Sequence, residues 1–182
     1  MPRYLVVLDF EATCERNSPI HEIIEFPSVV VDTTTQQVVD RFECFVKPMR
    51  DPQVSAFCHK LTTITQVQVD SGISLQEALK RHQTFLAPYQ SDSILVTCGD
   101  WDLKTMLPSD VRLNNLQIPN YYRRWINIKQ HFTALYGKRC REMEGMLEYL
   151  QLSLKGTHHR GIDDCVNIGA IAIRMLQDGW QP

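Results

Sequence analysis

The chain has 182 residues, 43% of them hydrophobic and 22% charged, and a net charge of −2 at pH 7. This describes one soluble domain with a full core; it offers no overall basic field, so any phosphate binding must come from a local site or bound cations. No apolar run is long enough for a signal peptide or a membrane span, and six cysteines (Cys14, Cys44, Cys58, Cys98, Cys140, Cys165) without a C-x-x-C pair read as reduced thiols of an intracellular protein, cytoplasmic or nuclear, rather than as a zinc site or disulfide frame.

Tyr4–Leu8 is short and apolar on both faces, which predicts a strand buried on both sides. It runs into Asp9-Phe10-Glu11-Ala12-Thr13-Cys14. Side chains two apart on a strand share a face, so Asp9 and Glu11 project together from the edge of a core. Carboxylates crowded where hydration is poor must be neutralised by protons or cations. A solvated strand end would carry the same pair with no further role, and the remaining sequence weighs against that.

Glu15 to Ile20 reads as a loop. Ile23 to Val31 and Val38 to Val46 are strand-like runs around a hairpin connection at 32–37, and Pro48 and Pro52 close the unit. Phe57 to Thr63 is mixed, and Ile64 to Val69 predicts a short helical turn. Ser74-Leu75-Gln76-Glu77 matches a capping box, opening a helix with Leu75, Ala78, Leu79 and Leu86 at helical spacing up to Pro88. Ser93 to Cys98 is a second buried strand, followed by Gly99 and a helix from Asp100 to Leu107 that Pro108 stops. Asn127 caps a helix ending near Gly137, Met143 to Leu152 is another, and Ile162 to Gln177 is the last, ending before Gly179. Strands first, then strand–helix alternation, give a single α/β domain over 1–182: a mixed central sheet flanked by helices.

In the last helix Asp164, Ile168, Ile171 and Met175 share one stripe, which places Asp164 towards the core. Asp163 falls instead with Asn167, Ala170 and Arg174 on a more solvated face. An acid in the first turn also caps a helix favourably without any other role. Just upstream, His158 and His159 lie in a glycine-bounded loop, and either can reach the same pocket as Asp164 with a near-neutral pKa suited to proton transfer. In Asp100-Trp101-Asp102 periodicity does not decide between the acids; if Asp100 is the N-cap, Asp102 is the candidate.

Asp9-x-Glu11, a mid-chain Asp and His159-x-x-x-x-Asp164, in that order, resemble the three motifs of the DEDDh 3′-to-5′ exonucleases, a superfamily of RNase H-like fold. Leu8-Asp9-Phe10-Glu11-Ala12-Thr13-Cys14, Glu22-Ile23-Ile24-Glu25-Phe26-Pro27, Cys98-Gly99-Asp100-Trp101-Asp102, Trp125-Ile126-Asn127 and Gly161-Ile162-Asp163-Asp164-Cys165 further resemble the branch containing the histone-mRNA 3′-exonuclease and the enhanced-RNAi exonucleases. The resemblance implies Asp9, Glu11, Asp102 and Asp164 as metal ligands, with His159 rather than His158 as the base. It implies Phe10, Ala12, Thr13, Phe57 and Trp101 as substrate contacts, the backbone of Ala12 and Thr13 holding the terminal sugar. Members of the branch add an N-terminal nucleic-acid-binding domain, whereas this sequence reads as the nuclease core.

Phosphodiester hydrolysis needs an activated water and relief of charge on the attacking and leaving oxygens, and two divalent cations, Mg²⁺ or Mn²⁺, do both. Four carboxylates from three regions suit such a pair, with Asp9 expected to bridge. Phe57 and Trp101 could stack on bases or simply belong to the core, and Tyr121-Tyr122-Arg123-Arg124-Trp125 could contact nucleic acid or bury its rings. The expected activity is metal-dependent 3′-to-5′ hydrolysis of single-stranded ends, RNA ahead of DNA, to 5′-mononucleotides. The alternatives are DNA or very short oligonucleotides as substrate, a non-catalytic nucleic-acid-binding module of the same fold, or a metal-free two-carboxylate hydrolase. Protein partners are not legible in the sequence.

Overall fold

A computed structural model of the chain describes residues 1–14 and 20–182. The loop expected over Glu15 to Ile20 therefore lies, except for Ile20, outside the described residues. The β-rich N-terminal runs form β1 (Tyr4–Leu8), β2 (Glu11–Ala12), β3 (Ile23–Asp32) and β4 (Gln37–Phe45). Two later strands, β5 (Ser93–Thr97) and β6 (Trp125–Asn127), complete a six-stranded sheet in the order β2-β3-β1-β5-β6, with β4 on the other edge of β3. The sheet is mixed. β3 runs antiparallel to β1, β2 and β4, whereas β1, β5 and β6 are parallel.

All ten residues of β3 are buried, its polar Glu25, Ser28 and Asp32 included, as a strand paired along both edges and covered on both faces requires. β4 alternates exposed and half-buried positions, as an edge strand covered on one face does. The turn between them is held by Asp32, whose carboxylate accepts from the Thr34 and Thr35 amides at 2.8 and 3.2 Å.

Alternation along β1 and β3 divides the core. Leu5, Val7, Val29 and Val31 face α5 (Ile128–Tyr136), α6 (Met143–Tyr149) and α7 (Gly161–Gln177). Val6, Leu8, Phe26 and Val30 face α3 (Leu75–Leu86) and α4 (Leu107–Leu113). On that second side His82 is fully buried among aromatic rings, 2.7 Å from the Tyr122 hydroxyl and 2.9 Å from that of Ser28; burial pushes its pKa down to about 3, so it packs as a neutral ring. α1 (Ala56–Thr62) and α2 (Gln66–Asp70) close the end of the sheet around Ile24, Cys58, Ile64 and Val69.

Several expectations are corrected. Pro108 does not stop the helix. Asp102–Met106 is a π-helical segment in which the Leu107 amide bonds the Asp102 carbonyl five residues back, and α4 continues through Pro108 to Leu113. The widened turn accommodates a ring that a regular helix interior would reject. The capping box at Ser74 is half formed: Ser74 Oγ accepts from the Glu77 amide, but the Glu77 carboxylate turns to Arg81 at 2.8 Å. A reciprocal box is found instead at Thr65 and Gln68. Trp125–Asn127, read only as the approach to a cap, is a parallel strand, too short to be visible as a periodic run.

The stripe on α7 holds: Ile168, Ile171 and Met175 are fully buried between helix and sheet. Ile171→Ala should lower unfolding free energy by about 2–5 kcal/mol in urea titrations. A change below about 1 kcal/mol would show that this stripe does not pack as described.

Candidate active site

β1 and β5 are parallel neighbours, so their C-terminal ends open on the same edge of the sheet. Asp9 follows β1, and Asp102 lies just past β5 in the first turn of the π-helical segment. Asp102 Oδ1 accepts from the Phe10 amide at 2.9 Å, the peptide between Asp9 and Glu11. Phe10 itself points to the opposite face and packs edge-on against Phe26 at 4.6 Å. Asp9 and Glu11 thus share the α7 side, where Asp164 arrives from the helix's first turn. One oxygen from each of Asp9, Glu11 and Asp164 lies within 4.8 Å of the others.

A fifth acid organises this convergence. Glu25 is the cross-strand partner of Glu11 and is completely buried. Its carboxylate accepts from the Gly161 and Ile162 amides at 3.0 and 3.1 Å, the first two of α7, and pairs with Arg160 at 2.7 Å. An acid at a helix N-terminus satisfies amides that have no partner within the helix. Arg160 also reaches Glu43 on β4 at 2.7 Å. Gly161 is required by proximity: a Cβ there would stand 2.8 Å from the Asp9 carbonyl and from Pro27. The signal in the sequence was an acid inside a strand apolar on both faces, which must find partners when buried.

Both histidines come to the cluster. Their rings stack at 3.9 Å and 15°, and both approach Asp164. They differ in anchorage. His158 Nδ1 lies 3.4 Å from Glu144 at the start of α6, whereas the His159 amide donates to Asp164 Oδ2 at 2.8 Å. His159 is held in the left-handed region (φ 65), an uncommon backbone for a residue with a side chain. Asn167, expected on a solvated face, is instead fully buried and ties this loop down, bonding both the amide and the carbonyl of Lys155 and the carbonyl of Asp163.

Burial and mutual repulsion dominate the electrostatics. Desolvation first, then Asp102, Glu11 and Asp164, raises the Asp9 pKa well above the usual range. Burial and then Asp164 and Glu25 push Glu11 up to about 9. Burial raises Asp102 and Asp164 to about 6, moderated by the Phe10 amide for the first and by His158 for the second. Burial, then His158, lowers the His159 pKa, favouring a neutral imidazole. Among the described residues no hydrogen-bond partner reaches the buried Asp164 Oδ1, an oxygen open to a proton, a cation or another donor. The all-oxygen carboxylate donor set suits hard divalent cations.

The expected substrate contacts divide. Phe57 and Trp101 are 41% and 47% exposed, outside the buried core. Phe10 is buried and joins the site only through its amide. Ala12 and Thr13 are buried, and the Thr13 amide is already bonded to the Glu22 carbonyl at 2.8 Å. The Tyr122 ring is spent on His82, while Arg123 and Arg124 remain exposed. Beyond Glu25, two further buried acids carry structural work that the sequence did not reveal. Glu22 accepts from the Met49, Arg50 and Asp51 amides, and Asp110 from the Ile23 amide.

Comparisons with known proteins agree with this geometry. A family model described as "Exonuclease" matches residues 6–172. The chain is 38% identical to mouse (Mus musculus) "3'-5' exoribonuclease 1" and 41% identical to human (Homo sapiens) "ERI1 exoribonuclease 3", alignments that take in 98% and 97% of this chain and 54% and 55% of those proteins. It thus spans about half the length of these relatives. Among solved structures, the nuclease domain of 3'hExo, a DEDDh family member bound to rAMP, superposes with a TM-score of 0.94 at 37% identity, covering 98% of this chain and 94% of that one. Cell-death related nuclease 4 (CRN-4) gives 0.89 at 26%, covering 97% and 64%. The likeness to the DEDDh domains extends to the RNase H-like architecture of the sheet.

Two outcomes follow. Glu25→Ala removes one partner of a buried pair and strips two helix amides, so it should destabilise by about 3–5 kcal/mol; a loss under about 1 kcal/mol in denaturant titrations would deny Glu25 this role. Between its ordinary value of 4.5 and its folded value of about 9, Glu11 binds more proton in the folded chain than in the unfolded one. Its contribution to stability is therefore complete below the lower value and lost as pH rises towards the upper. Without divalent cations, Tm measured from pH 5.5 to 8.5 should fall in wild type and fall less in Glu11→Gln. Equal slopes would contradict the raised Glu11 pKa.

Proposed function

This chain belongs to the DEDDh exonuclease family, and from that membership we propose that residues 1–182 act as one 3′-to-5′ exonuclease domain, releasing 5′-mononucleotides from single-stranded ends, RNA in preference to DNA. The observation that carries the reading is the convergence of Asp9, Glu11 and Asp164, with Asp102 bonded to the peptide between the first two and Asp164 Oδ1 without a partner among the described residues. A protein that only bound nucleic acid would gain nothing from packing these acids against one another, since they repel the phosphates as well.

The family implies divalent metal ions, and the four carboxylates are the residues that would hold two of them, Mg²⁺ or Mn²⁺. When bound, such ions lower the pKa of the attacking water and offset charge on the attacking and leaving oxygens. The chain's own residues do the rest. His159, neutral at physiological pH because burial lowers its pKa, accepts the proton of the water that attacks the terminal phosphate. The bond from its amide to Asp164 fixes the imidazole's backbone to a ligand residue, so base and ions keep one frame. The exposed rings of Phe57 and Trp101 offer stacking faces for the terminal bases, worth about 1–3 kcal/mol each. Preference for RNA rests on the exoribonucleases this chain resembles and requires a contact to the 2′-hydroxyl.

Incubation with 3′- and 5′-labelled single strands of RNA and DNA, in Mg²⁺, Mn²⁺ or EDTA, tests the whole reading. A 5′-labelled strand should shorten one nucleotide at a time in either metal and stay intact in EDTA. Cleavage that survives EDTA, or release from the 5′ end, would overturn it. His159→Ala should lower kcat by about 10²- to 10⁴-fold with little change in strand affinity; an unchanged kcat would remove His159 from the reaction.

A further inference from the structure

A chain with net charge −2 has no general attraction for a polyanion. Electrostatic capture therefore needs a concentrated patch, and one lies beside the acid cluster. A cleft of about 760 Å³ opens between Asn127, the first turn of α5 and the loop that joins α5 to α6. Its charged lining is Lys129, Arg139 and Arg141 against a single acid, Glu142. Glu142 also lines the pocket formed with Asp9, His158, His159 and Asp164, so the cleft adjoins the site. In the other direction Asn127 and Gln130 are shared with a hollow of about 370 Å³ that carries Arg123 and Arg124. The three hollows therefore adjoin through shared residues, the outer one carrying Asp100 beside its two arginines.

The local structure explains why these cations are available. Gly137 ends α5 in the left-handed conformation, and the chain turns back along the helix. Lys129 Nζ donates to the Arg141 carbonyl at 2.9 Å and holds the returning loop. Arg3, Arg81, Arg160 and Arg174 each pair with a carboxylate. Among the described residues no acid pairs with the exposed guanidinium groups of Arg123, Arg124, Arg139 or Arg141. Among the described residues no aromatic side chain lines the larger cleft, which suits it to sugar and phosphate rather than to bases.

We propose that this cleft is the approach path of the single strand upstream of its 3′ end, Lys129, Arg139 and Arg141 holding backbone phosphates and Arg123 and Arg124 extending the track. The proposal rests on the nuclease reading of the acid cluster and adds where the rest of the substrate lies. It makes strand capture sensitive to ionic strength and to strand length, because a dinucleotide ends before it reaches the arginines.

The test measures binding of a 5′-fluorescent 20-nucleotide RNA by anisotropy in Mg²⁺, on the His159→Ala background so that the strand persists. Arg139→Ala/Arg141→Ala should weaken binding at least tenfold and make the slope of log affinity against log salt shallower by about 1.4, two phosphate contacts at about 0.7 each. Lys80→Ala/Arg112→Ala, an equal change of charge at exposed positions of α3 and α4, on the far side of the sheet, should alter neither. In the otherwise wild-type enzyme, the ratio of kcat/KM for the 20-mer to that for a dinucleotide should fall at least tenfold in the double variant. Thermal melts establish that the variants fold, and Arg139→Glu/Arg141→Glu should give a larger loss than the alanines. Affinity within twofold of the parent with an unchanged salt slope would overturn the proposal. If the wild-type chain cuts no strand, the nuclease reading fails while the anisotropy comparison still decides the cleft.

Discussion

Everything at this site follows from like charges held together away from water. Asp9, Glu11, Asp102 and Asp164 come from three separated stretches, and each is costly to ionise where it sits. Such an arrangement is not what folding would choose for its own sake. Apolar packing on both sides of the sheet supplies the free energy that holds it, and only some of the charge is answered from within. The Phe10 amide answers Asp102, the His159 amide answers one oxygen of Asp164, and the other oxygen finds no partner among the described residues. The remaining deficit is a demand for positive charge from outside the chain.

The frame is arranged so that these groups cannot drift apart independently. Glu25 stands opposite Glu11 on the sheet while its carboxylate grips the first amides of α7, so the helix bearing Asp164 is registered directly against the strand bearing Glu11. Arg160 offsets the charge of Glu25, and the absence of a side chain at Gly161 lets the helix approach the Asp9 carbonyl. The cleft that carries Lys129, Arg139 and Arg141 adjoins the cluster through Glu142, and Lys129 is near enough to offset part of the charge of Asp102.

Much of this was legible in the sequence, for identifiable reasons. The period-two placement of Asp9 and Glu11 and the 3.6-period stripe through Asp164 are local geometry, and local geometry is what residue spacing encodes. The choice between His158 and His159 was not of that kind; it came from resemblance, and in the structure the two have different anchors, Glu144 for the His158 ring and Asp164 for the His159 amide. Glu25, Glu22, Asp110 and Asn167 were visible as residue types but not as roles. Each is satisfied by backbone groups elsewhere in the chain, a relation that periodicity does not carry. Strand β6 was missed because three residues show no alternation, and the alternation that turns Asp9 and Glu11 towards α7 turns the ring of Phe10, which the resemblance implied as a substrate contact, to the opposite face of the sheet.

The π-helical turn at Asp102–Met106 has a further consequence. Such a turn is in effect one residue inserted into a helix. Deleting any one residue between Lys104 and Met106 would let an ordinary spiral form, and it would look like a repair. Each residue of an α-helix advances about 100° around the axis, so Asp102 would swing away from the Phe10 amide or α4 would lose its fit against the sheet. The irregularity is therefore a length constraint: this stretch tolerates changes of letter far better than changes of count.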